Sequence, residues 1–474
     1  MRELAQLLLP SVRWDPALGF APAAAAIERA AAAGVGGFVV ESGPRDAVAA
    51  VAEAIRQHAD NAPLIVIAPE LFASAGWSQR PASLPPRAAI ASLRDPIAIR
   101  RLARVTAREA LHAGCNVILA PSCDVARSAT VDVFSHDAAE VAESAGEWID
   151  AAQSEGVLCF AGRFPGAGAM NETIDGPPLV RETDDALYAR DLVPFRATID
   201  AGVAGLVISE AIYPSLDASG PAARSSAIVS RLLRSQLGFD GLAVADAATL
   251  RAGHASTITL PELIGAGIDV VLRPATVDAD LRALADALRD GRIDRERVHD
   301  AAQRRRSRAA MAAAPVPVPN DDDDARWLDD VAERVISVVR GRSVRLAAPI
   351  EVAVAGAPRD AAPMVGALAA GIGEAGGDAA GVRQVTTPSA VARSTFVIVA
   401  PPARRSGFGA AEPTDAHAEA LCAEARRVGR EVVVVWCGHP ANAPVLSGAS
   451  LLVACWNSTN AMLRAAGRWL VRRV

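Results

Sequence analysis

The chain has 474 residues, 51% apolar and 22% charged, with a net charge of −6 and a pI of about 5.8. That length and apolar content predict two or three packed domains and exclude a globally disordered chain. The acidic balance gives no electrostatic footing for nucleic acid or an anionic membrane, and all 48 basic residues are arginine, so chemistry that needs a lysine ammonium is excluded.

The opening MRELAQLLLPSVRWD carries an apolar run that is too short for a signal-peptide core and breaks at Pro10. No run approaches the roughly 18 apolar residues of a membrane span, and a soluble, cytoplasmic protein is expected. Eight short apolar runs then read as strands: Ala5–Pro10, Val35–Glu41, Pro63–Glu70, Asn116–Asp124, Gly156–Arg163, Ala204–Glu210, Gly241–Asp246 and Asp269–Pro274. Each is continuous rather than alternating, as in parallel strands covered on both faces. Helical stretches such as IAIRRLARVTAREALHAG lie between them, several closing on a glycine suited to a C-cap. The pattern predicts a (β/α)₈ TIM barrel over residues 1–313, with a doubly wound open sheet as the alternative.

Barrel enzymes place their chemistry where strands end. The ends here are Glu41, Glu70, Asp124, Arg163, Glu210, Asp246 and Arg273, a set of charges that predicts a polar cleft on one face. Asp246 is the sharpest case, because an ionised carboxylate is costly to bury without partners and this one closes a wholly apolar strand. The alternative is a solvated rim, with Asp246 a structural acid paired to a rim arginine.

Beyond a basic helix ending QRRRSRAAM, which reads as a solvated face, comes APVPVPNDDDDA, Ala314–Ala325, a stiff and self-repelling linker. With the helix WLDDVAERVISVVRG it fills residues 314–344 and leads into a C-terminal α/β sandwich, residues 345–474. Its strands are expected at Glu351–Gly356, Phe396–Pro402, Glu431–Gly438 and Leu451–Trp456. The six cysteines show no C-x-x-C spacing and the seven histidines no cluster, so buried thiols are expected, with no metal and no cofactor.

Four stretches belong together: NVILAPSCDVA, FAGRFPGAG, LVPFRATIDAGVAGLVISEAIYPSLD and RLLRSQLGFDGLAVADA. In that order they resemble the motifs N-V-x-x-A-P-x-x-D-V, K-H-F-P-G-H-G, L-x-P-F-x-x-x-I-x-A-G-V…Y-P-x-L-D and L-R-x-x-L-G-F-x-G…D-A of glycoside hydrolase family 3, especially its β-N-acetylglucosaminidase branch. The likeness continues through GAGIDVVLRP and into the second domain.

The resemblance implies a retaining glycoside hydrolase acting on a β-linked sugar, with Asp246 as the nucleophile that forms the glycosyl–enzyme intermediate. Asp124 matches the family's strand-end aspartate. Gly162 and Arg163 stand where the family has its sugar-binding lysine and histidine, and Arg163 is expected to take over part of that grip. Ala167 replaces the second histidine of the loop, Pro69 or Glu70 stands at the sugar-gripping aspartate, and Asp132 at an arginine. The branch's acid/base histidine has no counterpart in AMNETIDGPP. By spacing it falls on Asp175, with Glu172 one turn away, and either serves as the acid if its pKa is raised. Glu210 is a further candidate for a hydroxyl contact or for the acid. A small carbohydrate or glycoside is the expected partner. A homologue that binds sugar without turning it over is the alternative, and a glycoside phosphorylase a further one.

Overall fold

The computed structural model describes residues 1–69, 84–170, 177–252, 258–312, 322–356, 361–388, 394–402 and 414–473. The chain divides into two units. One comprises Met1–Gln79, Asp95–Ser128 and Val133–Asn320, and the other Arg80–Arg94, Ala129–Asp132 and Asp321–Val474. Two excursions from the first 150 residues thus cluster with the C-terminal part, which continuous boundaries do not anticipate.

The first unit is a parallel barrel. Its strands are β1, in two pieces (Leu8–Leu9 and Ser11–Val12), β2 (Gly37–Val40), β3 (Leu64–Ile67), β4 (Val117–Ile118), β5 (Leu158–Phe164), β6 (Gly205–Ile208), β7 (Leu242–Asp246) and β8 (Val270–Leu272). The two pieces of β1 lie at opposite ends of one nine-segment sheet. They are one strand interrupted at Pro10, so the sheet closes on itself and the open-sheet alternative falls away. Pro10 has no N–H to give, but its carbonyl still accepts Val39 N–H at 2.9 Å, and the Leu8 and Val12 carbonyls accept Gly36 and Glu41 N–H. On the other edge the Leu7 and Leu9 carbonyls accept Val271 and Arg273 N–H, both at 2.8 Å. The first strand therefore runs past the proline, at which the sequence reading stops it.

The interior is filled from alternate positions: Val39 on β2, Leu64 and Val66 on β3, Leu242 and Val244 on β7, and Val270 and Leu272 on β8. This period of two decides which strand-end residues face the mouth. The surrounding helices start and stop on local signals. Asp95 caps Pro96–His112 through Ile97 and Ala98 N–H, Asp137 caps Ala138–Ser154 likewise, and Gly34 ends Ala24–Ala33 at φ +84°.

The second unit holds a six-stranded sheet ordered β9–β14–β13–β12–β10–β11: β9 (Ser337–Gly341), β10 (Ile350–Val354), β11 (Val382–Gln384), β12 (Thr395–Ala400), β13 (Glu431–Trp436) and β14 (Leu451–Ala454). β9 pairs antiparallel with β14 and the rest are parallel, with apolar clusters on both faces. Four of these strands match the expected runs. β11 escapes the reading because it is short and largely exposed, and β9 because it was read as the end of the helix WLDDVAERVISVVRG, which stops at Arg334. All six cysteines are buried, and no helix among the described residues is long and apolar enough to cross a membrane.

Candidate active site

Asp246 continues the inward series 242, 244, 246 to the last residue of β7, so its carboxylate faces the barrel axis at the C-terminal mouth. It is only 5% exposed. Its Oδ1 accepts Ala248 N–H at 2.9 Å and Arg273 Nε at 3.0 Å, and Oδ2 accepts Arg273 Nη2. The acid is thus held by the first turn after its own strand and by a forked guanidinium from the end of β8. Burial draws Arg273 below its ordinary pKa, with Glu41 opposing. Glu41 extends the inward series of β2 and lies 4.0 Å from Arg273 Nη1, while Arg13 donates to it from Nε at 2.9 Å. A cavity of about 430 Å³, the size of a small-ligand site, opens here. Arg13, Glu41, Ser42, Ala68 and Arg273 line it over Val39, Val40 and Leu119.

A second cluster gathers at the ends of β4, β5 and β6. Arg163 donates from Nη1 to Glu210 at 3.0 Å and from Nη2 to Asp124 at 3.4 Å, and its side chain remains 37% exposed. Burial works against the Arg163 charge, but Asp124 and Glu210 outweigh it and raise the guanidinium above its ordinary value. Burial pushes the Asp124 carboxyl up against the pull of Arg163. Asp124 Oδ1 also accepts Ala167 N–H at 2.7 Å.

The motif residues around this cluster fix the loop that follows Arg163 at the end of β5. Tyr213 donates its hydroxyl to the Gly166 carbonyl at 2.9 Å. Gly166 sits at φ +119° with Asp191 so close that a Cβ would fall 2.8 Å from it, a position only glycine satisfies. Asp191 is itself buried and takes Arg127 Nη2 on both oxygens, at 2.6 and 2.8 Å. Phe164 meets Phe195 edge-on at 5.3 Å. The P-F and Y-P signatures therefore pack the loop that directly follows β5, and so hold the strand end that presents the arginine.

The structure brings Asp124, Arg163 and Glu210 into one ion cluster and sets Asp246 against Arg273 and Glu41. Glu70, Glu172 and Asp175 lie outside the described residues. Arg273 and Glu41 were legible as strand-end charges, but no role was read for them. The signal was strand order, since consecutive parallel strands β7 and β8 pair and bring together the residues that end them. Arg13 was missed because the first strand appeared to stop at Pro10. Among the described residues no group of three or more His, Cys, Asp or Glu is placed to hold a metal ion.

Residues 2–307 match the model of the glycosyl hydrolase family 3 N-terminal domain. A β-N-acetylglucosaminidase/β-glucosidase of Cellulomonas fimi is 32% identical over 234 residues, 44% of this chain and 40% of the relative. A β-hexosaminidase of Xanthomonas campestris is 35% identical over 201 residues, 39% of this chain and 59% of the relative. The matches thus span about half the length of these curated relatives. Among solved structures, a family 3 β-N-acetylglucosaminidase from Paenibacillus superposes over 100% of this chain and 96% of its own, with a TM-score of 0.81 at 22% identity. A β-glucoside phosphorylase covers 100% of this chain and 92% of its own, with a TM-score of 0.80 at 16% identity.

Proposed function

The chain belongs to glycoside hydrolase family 3, and on that premise we propose that it is a retaining glycosidase acting on a β-linked hexosamine or glucose, with Asp246 as nucleophile. The observation that carries the reading is the register of β7. Its inward positions 242 and 244 are core leucine and valine, and the third, 246, is a carboxylate at the mouth whose partner Arg273 lines a sugar-sized cavity. In the first step Asp246 attacks the anomeric carbon while a general acid protonates the departing oxygen. In the second, water opens the glycosyl ester with the same acid now acting as base.

Glu172 and Asp175 are the acid/base candidates. Glu210 is the weaker one, because its carboxylate is already engaged by the Arg163 guanidinium at 3.0 Å. Arg163, anchored by Asp124 and Glu210, is proposed to bind sugar hydroxyls with its remaining N–H groups. Residues 1–313 are read as the catalytic-type domain, and six buried thiols suit a reducing cytoplasm.

One observation favours a second reading, a protein that binds sugar without cleaving it: both oxygens of Asp246 are already held by an arginine. The same assay separates the two. Nitrophenol release from aryl β-glycosides is measured with wild type and Asp246→Ala, with and without phosphate. Turnover that vanishes in the variant supports the glycosidase. Stimulation by phosphate points to phosphorolysis. A folded wild type silent on every sugar overturns the enzymatic reading.

A further inference from the structure

We infer that Arg273 is a positioning residue for Asp246, holding the carboxylate ionised and leaving Oδ2 as the oxygen that meets the sugar; the inference rests on the glycosidase reading above. Oδ1 takes two donors, Ala248 N–H at 2.9 Å and Arg273 Nε at 3.0 Å, and both its lone pairs are engaged. Oδ2 takes Arg273 Nη2 and retains a lone pair.

The aim of Arg273 is built into the backbone. Val270 and Leu272 point into the barrel, so strand alternation would send residue 273 out toward the helices. Instead Arg273 adopts φ +51°, a left-handed conformation that is unfavourable for a residue other than glycine. Its N–H stays on the Leu9 carbonyl at 2.8 Å, and Arg251 Nη2 donates to its carbonyl at 3.0 Å. The left-handed turn redirects the side chain across the mouth onto Asp246. Backbone strain that aims a charged side chain at the reacting group marks a functional constraint.

The charged groups around the pair are Glu41 from β2, Arg13 beyond β1 and Arg251 from the helix after β7. Glu41 and Arg13 are the charges that act on the Arg273 guanidinium. Glu41, 4.0 Å from Arg273 Nη1, gives the guanidinium a second acceptor when Oδ2 bonds to the anomeric carbon and loses its charge. In the second step water attacks that carbon and passes its proton to the acid/base. The bond from carbon to Oδ2 breaks, and its electron pair returns to a carboxylate that the guanidinium stabilises. Arg273 therefore eases departure of the nucleophile as well as its ionisation.

The test compares kcat/KM against pH for wild type, Arg273→Lys and Arg273→Met, with folding checked by circular dichroism. A neighbouring guanidinium lowers a carboxylate pKa by about 1–3 units. In Arg273→Met the acid limb is expected to move up by about one pH unit or more. It should move less in Arg273→Lys, and added guanidinium chloride should restore part of the methionine variant's rate. A folded Arg273→Met with an unmoved acid limb overturns the inference. If wild type turns over no glycoside, the glycosidase reading is what fails. The pairing is then decided by a ¹³C NMR titration of the Asp246 carboxyl, assigned with Asp246→Asn. A midpoint higher in Arg273→Met supports the pairing, and one that does not move overturns it.

Discussion

Asp269 and Asp246 stand at opposite ends of the barrel, one just before β8 and the other at the end of β7, and both are acids met by arginine. At the N-terminal end Asp269 is 0% exposed. Its Oδ1 takes Arg297 Nη2 at 2.5 Å and Arg304 Nη1 at 3.4 Å, and its Oδ2 takes Arg234 and the Ala243 N–H. Arg305, buried at the same end, spends its guanidinium on the Gly36 and Ala62 carbonyls and on Asn61, and burial pushes its pKa down to about 10. At the C-terminal end Asp246 has one arginine, itself a quarter exposed, and a cavity adjoins the pair. A carboxylate whose lone pairs are all filled from inside the protein closes the barrel floor. One held by a partly exposed partner beside a void is left with something to do.

The largest effect expected from this contrast is on stability. Asp269→Ala leaves three arginines facing a buried gap, and removal of one side of a buried ionic network costs about 3–5 kcal/mol. Urea denaturation should show that loss, while turnover per folded molecule stays near wild type. A loss under about 1 kcal/mol would break the comparison. Asp246→Asn should behave the opposite way. Turnover is expected to fall by at least roughly 10³-fold, as for an attacking group. The stability loss should be smaller than that of Asp269→Ala, because Arg273 keeps contact with solvent and with Glu41. Equal losses of stability in the two variants would place Asp246 among the structural acids.

Between these lies Arg163→Met, which strands Asp124 and Glu210 together without their shared cation. Hydrogen bonds to charged groups are worth about 1.5–3 kcal/mol. KM for a glycoside is therefore expected to rise about tenfold or more, with a smaller change in kcat. A fall in kcat alone would move Arg163 from sugar binding to the chemical step.

Most of the barrel was legible because its strands are apolar on both faces and seven of the eight expected runs end on or beside a charge. That pattern marks Asp246 as a candidate, since an acid at the close of GLAVAD is not apolar packing, and it leaves open the alternative of a structural acid paired with a rim arginine. The partner of Asp246 could not be read. Arg273 follows DVVL at a position whose alternation points outward, and only the left-handed backbone at that residue turns it inward. A single φ angle is not written in local composition. The same limit hid the split of β1 at Pro10, where the sequence shows a lost donor and the structure shows a retained acceptor. Arg163 was legible as a replacement for the family's basic pair. That its fork would be taken by two acids was not, because Asp124 and Glu210 come from strands 39 and 47 residues away.

The smallest effect concerns an acid held without a direct arginine contact, a third case beside the two ends of the barrel. Asp217, which closes the Y-P-x-L-D stretch beyond β6, accepts Ser225 Oγ at 2.5 Å and Ser219 N–H at 2.9 Å. The Ser225 hydroxyl, more than any other contact, holds its carboxyl below the ordinary value. A carboxylate depressed in the folded state binds fewer protons there than in the unfolded chain. Its stabilisation is thus full above the ordinary aspartate pKa of about 3.9 and is lost as the pH falls through the folded value. Ser225→Ala should therefore cost about 1 kcal/mol at neutral pH. The cost should shrink as the pH is lowered toward 3, so the stability curves of variant and wild type converge in acid. Ser225 Oγ also accepts Ile228 N–H at 3.2 Å, a bond whose loss does not depend on the charge of Asp217. A gap that stays constant with pH would assign the whole effect to that bond and leave Asp217 without a role in acid stability.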